Sequence, residues 1–156
     1  MGFQEKYKEY KQRREAKRYF HSQSQVRLHG NDIAKVLFAG FAASFVIAII
    51  MAIVQLNLSM VSAMLYLVMG YVVADAMTRN AQMHSKQLGI MAIIMTFVGY
   101  YIYQLLYIVI MTYSIYGTLA LSGAYLPLAF AALFSQPFID VIFMLAGLGI
   151  AYYQAR

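Results

Sequence analysis

Three stretches of the chain, residues 36–74, 87–139 and 141–155, contain no acidic or basic side chain. Ion-free runs of this length are stable where hydrocarbon replaces water as the solvent. The pattern predicts an all-α integral membrane bundle of about four transmembrane helices. The spans fall at about 33–54, 59–77, 88–113 and 138–153. A helix of about nineteen residues rises ~28 Å, enough to cross a hydrocarbon core with its flanks. The third span is the longest, with a rise of ~39 Å, so tilt or protrusion is expected.

Residues 117–135 are also apolar, but Gly123 and Pro127 interrupt them. A helix starting at Pro127 would have two turns, too few to cross, so a re-entrant or interfacial segment is expected. Polar punctuation marks the remaining boundaries. His29-Gly30-Asn31-Asp32 is a turn that can cap the first span. Asn57 or Ser59 can cap the second. Residues 79–86 form a polar loop. Ser135-Gln136-Pro137 reads as a helix start, with Ser135 as cap and Pro137 in the first turn. Asp140 then falls where the helix dipole favours an anion.

The amino-terminal part is different. Residues 3–20 contain no Gly or Pro and are predicted to be helical, with Phe3, Tyr7 and Tyr10 on one face. Glu9 and Arg13 are spaced as a favourable i, i+4 pair. Residues 21–25 are a polar break, so 1–32 read as a cytoplasmic basic helical head and hinge, and 33–156 as the bundle. Residues 1–35 hold nine Lys/Arg against four Asp/Glu, which accounts for +5 of the formal +6. With four spans, all twelve Lys/Arg lie on one side, which the charge rule assigns to the cytoplasm. The localisation expected is a multi-pass inner (plasma) membrane protein with its amino end in the cytoplasm.

Composition narrows the function. Charged residues are 12% of the chain, against about 25% in a soluble domain. Cysteine is absent, which excludes disulfides and thiolate metal sites. The first apolar run begins near Val36, behind a long basic segment with no small-residue cleavage pattern, so the first span is expected to stay as an anchor. No Gly-x-Ser-x-Gly, His-Glu-x-x-His or phosphate-cradling glycine loop occurs. The three histidines lie in the head or the loop, and Asp75 and Asp140 are placed at opposite membrane faces, too far apart for paired acid–base work. No catalytic residues, cofactor or resident metal are expected. Met77, Met83 and His84 carry Cu(I)-type donors, but with no second histidine or thiolate beside them they do not make a site. Asp75 and Arg79 are spaced as a local ion pair.

Three constellations remain. Lys6, Lys8, Lys11, Arg13, Arg14, Lys17 and Arg18 form a basic surface suited to anionic lipid headgroups, at ~1 kcal/mol per residue near the membrane, or to a partner. No nucleic-acid motif accompanies the charge. Gly40, Ser44, Ala48 and Ala52 repeat every four residues, a groove of small side chains for helix packing within the bundle or with another subunit. Thr96, Tyr100, Tyr103, Gln104 and Tyr107 form an intramembrane polar face that must find partners in protein.

The residues 70–81 (GYVVADAMTRNA), 88–100 (LGIMAIIMTFVGY) and 137–153 (PFIDVIFMLAGLGIAYY) resemble corresponding segments in a loosely defined group of small bacterial inner-membrane proteins with four spans. The resemblance covers about half of the membrane part. It implies a bacterial inner-membrane bundle and no particular chemistry. Many members of that group carry a cysteine-rich zinc ribbon before the first span, where this chain has its basic head.

Together these features predict a non-catalytic accessory or scaffolding subunit of a larger membrane complex. It would dock through the basic head and through its small-residue and tyrosine helix faces, to other subunits or to itself. The alternatives are a small transporter, channel or holin-like pore-former, and a membrane enzyme or quinone-binding subunit.

Overall fold

The computed structural model describes residues 30–57, 62–82, 84–117 and 123–156. The basic residues from Lys6 to Arg18, together with Ser59 and Met83, lie outside them. Within the described residues the chain is all helical. The helices are α1 (Gly30–Asn57), α2 (Ser62–Ala81), α3 (Lys86–Tyr116), α4 (Tyr125–Phe134) and α5 (Phe138–Ala155). Segments Asp32–Asn57, Lys86–Tyr116 and Phe138–Ala155 are long and apolar enough to cross a membrane. α2 has twenty residues and is more polar, with Asp75 and Arg79 in its last two turns.

The helix ends show how local chemistry sets the boundaries. Ser85 caps α3: it is extended (φ −153°, ψ 156°), and its hydroxyl accepts from the Leu88 amide at 3.1 Å. Gly117 closes the same helix in the left-handed region (φ 67°), returning its amide to the Tyr113 carbonyl. Two expected caps are corrected. Asn57 is the last residue of α1 and donates back to the Ile53 carbonyl at 2.8 Å, so it does not cap α2. Ser135 closes α4 instead of opening α5, because its amide and its hydroxyl both return to the Ala131 carbonyl. Pro137 (φ −52°, ψ 144°) then stands at the cap position of α5, so the cap falls two residues later than expected. α4 itself starts two residues before Pro127, which the first helical turn accommodates because the amides there need no intrahelical acceptor.

α2 and α3 form the centre of the bundle. α1 packs against both from one side and α5 against both from the other, while α4 leans on α3. The core between them contains Met51, Tyr66, Met69, Val73, Met77, Leu88, Tyr100 and Leu133. The tightest crossing joins α2 and α5. A Cβ on Gly70 would overlap the Gly147 carbonyl, and one on Gly147 would overlap the Tyr66 carbonyl and the Tyr100 hydroxyl. Glycine at both positions lets the two backbones touch. At the far end of α5, the Ser85 amide donates to the Ala155 carbonyl at 3.3 Å, which ties the end of α5 to the start of α3. Large apolar side chains face outward along the helices: Phe38, Phe45, Ile49 and Ile53 on α1, Ile90 and Ile94 on α3, and Phe138, Ile142 and Leu145 on α5 are exposed.

Candidate functional site: a buried tyrosine and glutamine cluster

α3 supplies most of the cluster. Thr96, Tyr100, Tyr103 and Gln104 are 0–3% exposed, and Tyr107 is half-buried, so the helical spacing does collect them on one inward face. α2 adds Tyr66, and the short connection between α4 and α5 adds Gln136. The Tyr66 hydroxyl donates to Gln136 Oε1 at 3.0 Å and accepts from Gln104 Nε2 at 3.4 Å. The Tyr100 hydroxyl donates to the Tyr66 carbonyl at 2.9 Å, with the Met144 carbonyl of α5 a weaker acceptor at 3.4 Å. One tyrosine thus bridges α2, α3 and α5 at the glycine crossing.

The rings pack as well as the polar tips. Tyr66 stands edge-on to Tyr100 (centroids 5.0 Å apart, planes at 82°) and to Tyr103 (5.9 Å, 86°). Edge-to-face pairs add about 0.5–1.5 kcal/mol beyond the area they bury. Tyr103 and Tyr107 continue the row at 6.4 Å. Among the described residues, no carboxylate, histidine, lysine or arginine is hydrogen-bonded to these hydroxyls. Their partners are amides and carbonyls, which orient a phenol and leave it without a base to ionise it. The arrangement is chemically suited to holding helices together. Thr96 is the exception, because its buried hydroxyl oxygen has no hydrogen-bond partner.

The small-residue groove of α1 is filled by the chain itself. Gly40, Ser44, Ala48 and Ala52 are all buried. The Ser44 hydroxyl donates to the Gly40 carbonyl at 2.8 Å and across to the Met95 carbonyl of α3 at 3.0 Å. Met77 and Met95 stand against Gly40, leaving no space for a Cβ. The groove is covered by α2 and α3 of the same chain, and the tyrosine face of α3 by α2, α5 and the α4–α5 connection, which is the packing within the bundle that the sequence allowed.

The remaining candidates do not come together. Asp75 and Arg79 form an i, i+4 ion pair at 2.8 Å, with the arginine side chain 78% exposed. Met77 is in the core while His84 is exposed. No three His, Asp or Glu gather into a metal-binding group among the described residues. The sequence pattern did not single out Tyr66 or Gln136, and no periodicity marks them. It did contain a signal for the α2–α5 crossing. Gly70, Ala74 and Thr78, and Gly147, Ala151 and Ala155, repeat every four residues as the α1 groove does, and all six are buried.

Fold and cluster together define an all-helical protein with several helices able to cross a membrane, whose intramembrane polar groups are arranged between helices. Set against models of protein families, against curated proteins and against solved structures, the chain matches none of them.

Proposed function

We propose that the chain is a non-catalytic, multi-pass inner-membrane protein that serves as an accessory or scaffolding subunit of a larger complex. It holds a partner through its basic amino-terminal head. The observation that carries this reading is the internal use of polar groups. Ser44, Tyr66, Tyr100, Tyr101 and Gln104 each bond to another element of the same chain, so the bundle is a packing unit that uses these polar groups internally.

The same reading gives α2, twenty residues long and packed against α1, α3 and α5, the role of a fourth span beside the three more apolar ones, while the tether from Ser85 to Ala155 bears on α4. That bond puts the carboxyl end beside the 82–86 connection, so an even number of crossings separates them. α4 is read as re-entrant. Its ten residues rise ~15 Å, half a hydrocarbon core. The Leu126 carbonyl accepts from the Tyr101 hydroxyl at 3.1 Å, and Tyr101 lies fifteen residues, ~22 Å of helix, before the end of α3. α4 therefore begins beside the middle of α3. All twelve Lys/Arg then face the cytoplasm, and the bacterial setting follows from the resemblance noted above.

The test is affinity purification in mild detergent of the wild-type chain and of a variant with Lys11, Arg13, Arg14 and Lys17 changed to glutamate. The variant is expected to lose the co-purifying partner while its bundle unfolds at the wild-type midpoint. Retention of the partner at wild-type yield overturns the docking role of the head.

A further inference from the structure

The two ends of the bundle differ in charge. The 82–86 end carries Asp32, Lys35, Asp75, Arg79, Lys86 and Arg156, and the head joins α1 there. The other end is made by the close of α1, the start of α2, the second half of α3, α4 and the start of α5. Because residues 36–74 and 87–139 contain no ion, Asp140 is the single charged side chain at that end among the described residues.

Asp140 is also unpartnered. No hydrogen bond or ion pair among the described residues uses its carboxylate. An acid at the third helical position ordinarily accepts from the amide of the cap residue, but the cap here is Pro137, which has none. The side chain is not aimed into lipid. It shares its side of α5 with Met144, Gly147 and Ala151, four, seven and eleven residues on, all buried. It is half-buried there, within electrostatic range of Tyr66 and Tyr103. Around it the surface is apolar, with Phe134, Phe138 and Ile139 exposed and Phe138 80% so.

We propose that Asp140 receives a lysine or arginine side chain from a transmembrane segment of a partner subunit, near that segment's outer end. Beyond the partial positive charge of the α5 amino end, a carboxylate set at the rim of an apolar bundle has three further means of compensation: water, a counter-ion of its own chain, or a counter-ion brought by another. Its own chain offers none at this end. A basic residue on a neighbouring membrane helix meets the charge while the rest of that helix covers the exposed phenylalanines and isoleucines. This surface lies at the end of the bundle opposite the start of α1, so it adds a second contact to the accessory-subunit reading and stands or falls separately from it.

The purified full chain, labelled with a donor dye, is reconstituted in phosphatidylcholine vesicles with acceptor-labelled model peptides. Each peptide is a leucine–alanine transmembrane helix carrying either one lysine or one glutamine in its outer turn. Energy transfer reports association. The lysine peptide is expected to bind wild type about ten-fold more tightly than Asp140→Asn, with binding restored by Asp140→Glu, while the glutamine peptide binds all three chains equally. Equal binding of the lysine peptide to wild type and Asp140→Asn overturns the proposal. So does a loss that affects both peptides alike, because Asp140 would then act on the fold. Both variants are checked for wild-type helicity by circular dichroism. The head is intact in all three chains, so failure here leaves the head's docking role standing, and the converse holds.

Discussion

The crossing of α2 and α5 makes the sharpest demand on sequence, and Gly147→Ala tests it. The added methyl would overlap two atoms at once, the Tyr100 hydroxyl and the Tyr66 carbonyl. The Tyr100 side chain is fully buried and anchored by its bond to Tyr66, and the Tyr66 carbonyl is helix backbone, so neither can turn aside. α5 must back away from α2 instead. Overpacking of this kind costs about 1–3 kcal/mol. Losing the Tyr100 bond adds about 0.6–1.7 kcal/mol, the range for interhelical hydrogen bonds in membranes. The better helix propensity of alanine returns at most ~1 kcal/mol. The net expectation is destabilisation by about 0.6–4.7 kcal/mol. Gly149, two residues along the same helix, is the control. A Cβ there meets nothing within 4 Å, so Gly149→Ala keeps the propensity gain alone and is expected to be neutral or stabilising by about 0.5 kcal/mol. Tryptophan is absent, so unfolding is best followed by far-ultraviolet circular dichroism during titration of detergent micelles with sodium dodecyl sulfate. If the two variants unfold at the same midpoint, the close approach of α2 and α5 is refuted.

Two further substitutions address the polar face in the same titration. Thr96→Val removes the buried hydroxyl that has no partner and keeps the shape, so it should raise the midpoint or leave it unchanged; a fall of more than ~1 kcal/mol would mean that the oxygen is hydrogen-bonded after all. Tyr100→Phe keeps the ring against Tyr66 and removes the donor to the Tyr66 and Met144 carbonyls, so a loss of about 1 kcal/mol is expected, and no loss at all would show that the hydroxyl contributes nothing to the three-helix junction.

Most of the architecture can be read from the sequence because lipid makes burial a matter of composition. Residues 36–74 contain no ion, and the chain indeed forms α1 and most of α2 there. The inward face of α3 is likewise legible, since Thr96, Tyr100, Tyr103, Gln104 and Tyr107 repeat at helical spacing and hydrocarbon gives such groups no partner. What periodicity cannot show is which helix answers. Tyr66 and Gln136 are single polar residues in apolar surroundings, seventy positions apart, and only the folded arrangement makes them neighbours of Gln104. The groove at Gly40, Ser44, Ala48 and Ala52 was visible as a groove, but a small-residue stripe has the same spacing whether it meets a sibling helix or another subunit. The boundary at Ser135 was misplaced for a local reason. A serine before proline can cap the helix that follows or close the one that precedes, and the choice depends on α4, whose existence as a helix the pattern left open.

Glycine and tyrosine at the crossing act as one device. Gly147 brings the α5 backbone close enough for the Met144 and Tyr66 carbonyls to lie beside a single side chain, and Tyr100 uses that closeness by donating to them. Separating α2 from α5 would therefore break the backbone contact at Gly70 and Gly147 and pull one of the two carbonyls away from the Tyr100 hydroxyl. A path for solute along Thr96, Tyr100 and Gln104 would require that separation, because these side chains occupy the space between the helices. α4 is held by different means. It packs on α3, with Ala129 and Leu133 buried, one hydroxyl from Tyr101 on its first turn, and the link from Gln136 to Tyr66 just beyond its end. Motion in this fold is thus cheapest at α4 and dearest at the α2–α3–α5 junction. A junction that rigid fixes the position of Asp140 at the start of α5 relative to α2 and α3.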